Sequence, residues 1–286
     1  MINRIIKSRE RYYHSLPGRE SFARLLNEAE VPEQVYNSNA IENSTLTLEE
    51  TEKILQQVAL DRYITEREIF EAKNLARVVT YISEKAVDKE LDSEMILLLH
   101  RMLILNINED IAGRFRKAGE YVRVGTHIAP PPEKVEDMIV KMLYDYRAGY
   151  DSITIVNRLA RLHLTFEHIH PFIDGNGRIG RVLINYLLLR EGYVPVNIKF
   201  VDRQKYYTAF SEFNLDGKTT EMEDILLKAL INSYYKRLAY LEGKEIITLG
   251  EYAKRMKLSH SNLLNKAKRQ TVEAFLEKGI WKIGIF

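Results

Sequence analysis

One histidine, one carboxylate, two glycines around an asparagine and two arginines fall within the twelve residues HPFIDGNGRIGR, at positions 170–181. Gly175, Asn176 and Gly177 stand where a helix is expected to open, and a helix start offers unpaired N–H groups and a positive dipole end to an anion. Glycine tolerates positive φ and lets the backbone approach a phosphate closely. Arg178 and Arg181, three residues apart, project from roughly one face and suit bidentate contact with phosphate oxygens. Asp174 precedes the loop, and one carboxylate together with substrate phosphates is a common way to hold Mg²⁺. His170, with an ordinary imidazole pKa of about 6.5, is largely a neutral base at cellular pH. A base, a metal ligand and an anion cradle within one turn are the parts needed for attack by a hydroxyl on a nucleotide polyphosphate.

The same twelve residues match, at all eight defined positions, the signature of the Fic family, His-x-Phe-x-Asp/Glu-Gly-Asn-Gly-Arg-x-x-Arg, and the chain resembles that family over residues 100–190. The resemblance implies a helical core that transfers AMP from ATP to a Ser, Thr or Tyr hydroxyl of a target protein. Carried over, His170 would be the base, Asp174 the Mg²⁺ ligand, Gly175, Asn176 and Gly177 the cradle for the α- and β-phosphates, and Arg178 and Arg181 the remaining grip on the polyphosphate. A kinase branch of the family carries lysine where this chain has Gly177 and lacks the second arginine, so Gly177 and Arg181 speak against it. The segment AGEYVRVGTHIAPPP, 118–132, resembles the family's flap, with Val122, Val124 and Gly125 in position to dock a target segment as an added strand.

Far upstream, SNAIEN at 38–43 fits the family's inhibitory pattern Ser/Thr-x-x-x-Glu-Gly/Asn, through Ser38, Glu42 and Asn43. The expectation is that Glu42 pairs with Arg181 inside the site and removes the cation meant for the γ-phosphate, leaving a class II type, autoinhibited enzyme. A glutamate above an AMP-modified protein can also orient water, so AMP removal at the same site stays open as a second activity.

The elements that must hold these groups read as helices. The sequence has 14 glycines and 7 prolines, and most long segments space apolar residues by three and four. Thr47 and Glu50 form a capping box before an amphipathic run through Leu60, and a second helix is expected over 65–84. Ser93 is expected to cap a helix that presents Met95, Leu98, Leu99, Met102 and Leu103 on one face. The period then changes, and short alternation around a Gly-Thr turn within 118–132 predicts a β-hairpin. A buried helix over 153–169 leads into the motif, and RIGRVLINYLLLR at 178–190 reads as a central core helix. The expected fold is mainly α, a Fic-type helical core with a small β-hairpin flap and a C-terminal winged helix-turn-helix-like module. The expected regions are 1–90 with the inhibitory motif, 91–241 as catalytic core, and 242–286 as the appended module.

Composition sets the remaining bounds. Of 286 residues 45% are hydrophobic and 29% charged, which argues for a globular protein and against disorder. No apolar run approaches the roughly 20 residues that span a bilayer, and the first residues lack a secretory signal. Zero cysteines exclude disulfides, thiolate metal sites and thiol nucleophiles, so a cytoplasmic protein without membrane segments is expected. His14, His100, His127, His163, His168 and His260 form no metal-ligand spacing, and His163 and His168 are expected to pack or hydrogen-bond beside the motif.

The net charge of +2 is uneven: residues 243–286 hold nine Lys plus Arg against four Glu. This tail loosely resembles a helix-turn-helix with a wing, with Ala253 and Leu258 in its core, Ser259 as a cap, and Trp281 and Ile283 in a terminal strand. Lys254, Arg255, Lys257, Lys266, Lys268 and Arg269 are available to DNA phosphates, so a DNA-binding regulator with a secondary Fic domain stands as the non-enzyme alternative. The implied partners are ATP, a protein target that could be the chain itself, and DNA through the tail. A homodimer is left open.

Overall fold

The structure, a computed structural model, describes residues 1–149 and 154–286. The described elements run α1 (Ile2–Ser15), α2 (Glu20–Ile41), α3 (Leu48–Leu55), α4 (Glu66–Lys85), α5 (Ser93–Ile104), β1 (Arg123–Val124), β2 (His127–Ile128), α6 (Val135–Ala148), α7 (Ile155–Ile169), α8 (Asn176–Arg190), α9 (Arg203–Asp216), α10 (Thr220–Leu241), β3 (Glu245–Thr248), α11 (Leu249–Arg255), α12 (His260–Lys268), β4 (Ala274–Glu277) and β5 (Ile280–Ile285). The mainly helical expectation holds, and the predicted hairpin forms around Gly125, with Arg123 opposite Ile128 and Val124 opposite His127. Among the described residues no helix is long and apolar enough to cross a membrane.

Local chemistry explains most boundaries. Thr47 and Glu50 satisfy each other's backbone donors in the expected capping box, and Thr65 caps α4 through the Glu68 N–H. Two expectations need correction. The run from Leu46 stops as helix at Leu55, with Gln57 at φ 59°, rather than continuing to Leu60. Asp92, not Ser93, caps α5, because its carboxylate reaches the Met95 N–H at 2.7 Å. The expected helix start at Ile153 lies outside the described residues; the helix itself is seen from Ile155, capped by Thr154.

Contacts group the chain into two units. One comprises Val31–Tyr193 and Ile198–Ile225, and α8 lies at its centre, packed against α7, α4 and α5. Ile179, Leu183, Ile184, Tyr186 and Leu188 of α8 and Leu159, Leu164, Phe166 and Ile169 of α7 are all buried. Truncating one such leucine to alanine costs about 2–5 kcal/mol. That rigidity matters because the functional residues sit at the facing ends of α7 and α8.

The other unit comprises Met1–Glu30, Val194–Asn197 and Leu226–Phe286. Its sheet has the order β3-β5-β4, antiparallel throughout, and covers α11 and α12 through Ile247, Leu249, Ala253, Leu263, Ala267, Ala274 and Ile283, with Trp281 partly buried against them. Ser259 caps α12 as expected. Leu258 is not a core position and is 50% exposed: Lys257 turns to φ 52°, the Leu258 N–H closes on the Ala253 carbonyl, and Leu263 fills the core.

Candidate active site

α7 ends at Ile169, His170 takes a left-handed conformation at φ 48°, and α8 begins six residues later, at Asn176 behind Gly175 at φ 83°. A Cβ on Gly175 would stand 3.0 Å from Leu103 and 3.3 Å from Ile104, so both the backbone angle and the space require glycine. The turn between them is pinned by Asn176, whose side-chain oxygen accepts from the Phe172 N–H while its amide donates to the Phe172 carbonyl. That buried side chain is committed to the loop, which leaves the main-chain N–H of Asn176 for any anion. α8 has no side-chain cap, so its first-turn donors lack helical partners.

Arg181 is buried and fully engaged. Its Nε donates to Ser38 Oγ at 2.9 Å, Nη1 to Tyr206 Oη at 3.0 Å, and Nη2 to both the Ser38 carbonyl at 2.8 Å and Glu42 Oε1 at 2.9 Å. Glu42 and Asn43 complete the last turn of α2: Asn43 adopts φ 68°, the left-handed close that favours Asn or Gly after a helix, and its side-chain oxygen accepts from Arg203. Gly177 makes room for the pairing, since a Cβ there would lie 2.1 Å from Glu42 Oε1. The expected Glu42–Arg181 pair and its companions Ser38 and Asn43 are therefore together in space, although more than a hundred residues separate them from Arg181 in sequence.

Asp174 sits in a ring of alternating charge. Its Oδ2 accepts from Arg67, its Oδ1 accepts from Arg178 at 3.0 Å, and Glu71 pairs with both arginines at 3.1 Å. Burial works against the charged carboxylate, but Arg178 and Arg67 outweigh it and hold its pKa below the usual range. His100 supports the turn from beneath: Nδ1 accepts from the Gly113 N–H, Nε2 donates to the Asp174 carbonyl at 3.0 Å, and the ring stacks on Phe172 at 3.7 Å.

His170 is nearly buried, and burial drives its pKa down to about 4, with Arg116 and His127 acting in the same direction and the Glu167 main chain and Glu42 against. The imidazole is therefore neutral at pH 7. Arg116 ties its loop to the hairpin: the guanidinium donates to the carbonyls of His170 at 2.8 Å, Ile169 at 3.2 Å, Glu120 at 3.0 Å and Pro130 at 2.8 Å. Beyond it Val122 is half-buried, while Val124 and Gly125 are exposed at the hairpin tip.

These groups line one cleft of about 1060 Å³, walled by Glu42, Arg67, the hairpin from Val124 to Ile128, His170, the Asp174 to Arg178 turn, and Tyr206, Tyr207 and Phe210 of α9. His163 is buried against Tyr206 Oη at 2.7 Å and His168 bonds Asn214, as expected of supporting histidines. Sequence reading missed Arg67, Glu71, His100, Arg116, Glu167 and the α9 aromatics. Glu167 carried a signal, an acid three residues before His170 on an otherwise apolar helix face; the others come from separate elements and leave no local spacing to read.

Residues 90–188 match the model of the Fic/DOC family. A protein adenylyltransferase Fic of Drosophila willistoni is 37% identical over 179 residues, which are 61% of this chain and 35% of that protein, so the chain spans about a third of the length of the curated relatives it matches. Among solved structures, a Fic domain containing signaling protein from Bacteroides thetaiotaomicron is similar with TM-score 0.75 and 24% identity, covering 85% of this chain and 98% of that one. A fragment of C. elegans Fic-1 gives TM-score 0.68 and 25% identity, covering 84% of this chain and 71% of that one.

Proposed function

We propose, from residues 90–188 belonging to the Fic/DOC family, that this chain is a protein adenylyltransferase held in check by Glu42. The observation that carries the reading is the convergence, on one cleft, of neutral His170, the uncapped start of α8 and Glu42, whose carboxylate already holds the buried guanidinium of Arg181. The first-turn N–H groups of α8, with Arg178 and Arg181, receive the triphosphate. The aromatic faces of Tyr207 and Phe210 suit stacking of a base. A target segment pairs with the hairpin edge at half-buried Val122 and exposed Val124 and Gly125 and brings a Ser, Thr or Tyr hydroxyl to His170. His170 takes the hydroxyl proton as oxygen attacks the α-phosphorus, the bond to the β-phosphate oxygen breaks, and pyrophosphate leaves with its charge met by the arginines and the helix start.

Asp174 fits Mg²⁺. Its two oxygens each face an arginine cation, and among the described residues no cluster of three His, Asp or Glu could hold a metal alone, which suits an ion that takes its other ligands from phosphates and water. Bound there, the ion supplies neutralisation of phosphate charge.

Glu42 removes from the reaction the guanidinium that would meet the far end of the triphosphate. Because its side chain is 36% exposed and lines the cleft, it also supports a second reading, removal of AMP with Glu42 orienting water. The test incubates wild type, Glu42→Gly, and Glu42→Gly with His170→Ala with α-labelled ATP, Mg²⁺ and a bacterial lysate. Protein label that rises in the single variant and vanishes in the double supports transfer and its restraint. Absence of label in every sample overturns it, and loss of label from a pre-modified protein by wild type but not Glu42→Gly selects AMP removal.

A further inference from the structure

In the wall of the cleft, two buried polar groups face each other without a completed hydrogen bond. His170 Nδ1 is buried without a well-formed hydrogen bond: the Glu167 main chain reaches the ring only weakly, and the nearest carboxylate oxygen, Glu167 Oε2, is 3.8 Å away. Glu167 Oε1 is also without a partner, and it lies against α8 at Gly180, where a Cβ would be 2.8 Å from it. Glu167 lies in the last turn of α7 and His170 is the left-handed residue that closes it, which leaves the carboxylate 3.8 Å from the ring. Buried polar atoms left unpaired cost stability, and their pairing across this gap needs a movement of about 1 Å to reach ordinary hydrogen-bond length.

Resting on the reading above, we propose that Glu167 is the positioning residue for His170: its carboxylate holds the imidazole with the proton on Nδ1 and leaves Nε2 as the acceptor for the target hydroxyl. The arrangement is a carboxylate behind a histidine, which fixes the tautomer and steadies the imidazolium formed as the proton moves.

Several titratable and charged groups surround the pair. Glu167 is faced by Glu42 at the end of α2, His170 at the end of α7, Arg181 from α8 and Tyr206 from α9, and shares the space against Gly180 with His163. Burial first and Glu42 second push the Glu167 carboxyl up to about 8, against the pull of Arg181. The protonated form of Glu167 is thereby favoured. Withdrawal of Glu42 removes the smaller of the two influences that raise it, and burial, the larger, remains. His170 itself is faced by Arg116, by His127 of the hairpin, and by Glu42.

The test uses full-length Glu42→Gly and compares it with the same chain carrying Glu167→Gln or Glu167→Asp. The expected result is a fall in kcat on the order of ten- to a hundred-fold for Glu167→Gln. KM for ATP stays within about two-fold, and Glu167→Asp partly restores the rate. The acidic limb of the pH–rate profile moves to lower pH in the glutamine variant, because loss of a carboxylate disfavours the imidazolium. An unchanged kcat and limb overturn the proposal. Imidazole ¹⁵N shifts of His170 are read in parallel and need no turnover. A predominantly Nδ1–H ring in Glu42→Gly that becomes mixed in the glutamine variant supports the role even if no AMP is transferred, whereas identical shifts overturn it.

Discussion

At the scale of single residues, the site is a set of arginines each already holding an anion. Arg181 holds Glu42, Arg178 holds Glu71 and Asp174, and Arg67 holds Asp174 from the cleft rim. Arg67 is 58% exposed, so its pair with Asp174 is screened and readily exchanged. Arg67→Ala should leave Asp174 with one cation instead of two and favour Mg²⁺ at that carboxylate. The expected outcome in a Glu42→Gly background is a several-fold lower Mg²⁺ midpoint for binding a fluorescent ATP analogue; an unchanged midpoint would assign Arg67 elsewhere. The residues from His170 to Arg181 were legible in sequence because loop and helix start lie side by side in the chain. Arg67 and Glu71 were not, because residues on an ordinary amphipathic helix acquire meaning when α4 is laid against α8.

At the scale of elements, the end of α2 is fastened by the segment around the start of α9. Lys199 pairs with Glu33 at 2.6 Å, the Phe200 N–H meets Asn37, Arg203 meets Asn43 and Tyr207 Oη meets the Ile41 carbonyl. The grip on Glu42 is thus shared between Arg181 and contacts that touch neither Glu42 nor Arg181. One exposed hydrogen bond of about 1 kcal/mol changes an opening equilibrium about five-fold. Arg203→Ala should therefore raise basal AMP transfer several-fold in the wild-type chain and add little to Glu42→Gly, as measured by label incorporated over time. The inhibitory pattern at 38–43 was readable as a motif and the pairing with Arg181 followed from charge. The fastening from α9 was not readable, since RQKYYTAFSEFNLD has neither a motif nor a strong single-face periodicity to announce what it covers. The hairpin and the capped helices were legible from turn and cap chemistry, whereas the precedence of Asp92 over Ser93 depended on which side chain reached the third N–H.

At the scale of the whole molecule, buried histidines set the response to acid. Burial lowers His100 to about 4, His163 to about 3 and His170 to about 4. Between these values and about 6.5 the unfolded chain binds protons that the native state refuses, so stability falls as pH drops through that window. Glu167, raised to about 8, acts in the opposite sense as pH rises from the carboxylate range toward 8, but one proton stands against three. The melting temperature should therefore fall between pH 7 and pH 5, with a further loss below the usual carboxylate range where Glu50, Glu120 and Glu277, each lowered to about 2, become protonated. A flat or rising melting temperature across pH 7 to 5 would contradict this account. One further consequence belongs to Arg116, which joins the foot of the hairpin and the His170 turn into a single piece. A strand repeats every two residues. A segment paired to a hairpin at fixed distance from the base can therefore offer residues of one parity alone, so a hydroxyl one place along the same target is turned away by phase, whatever the letters around it.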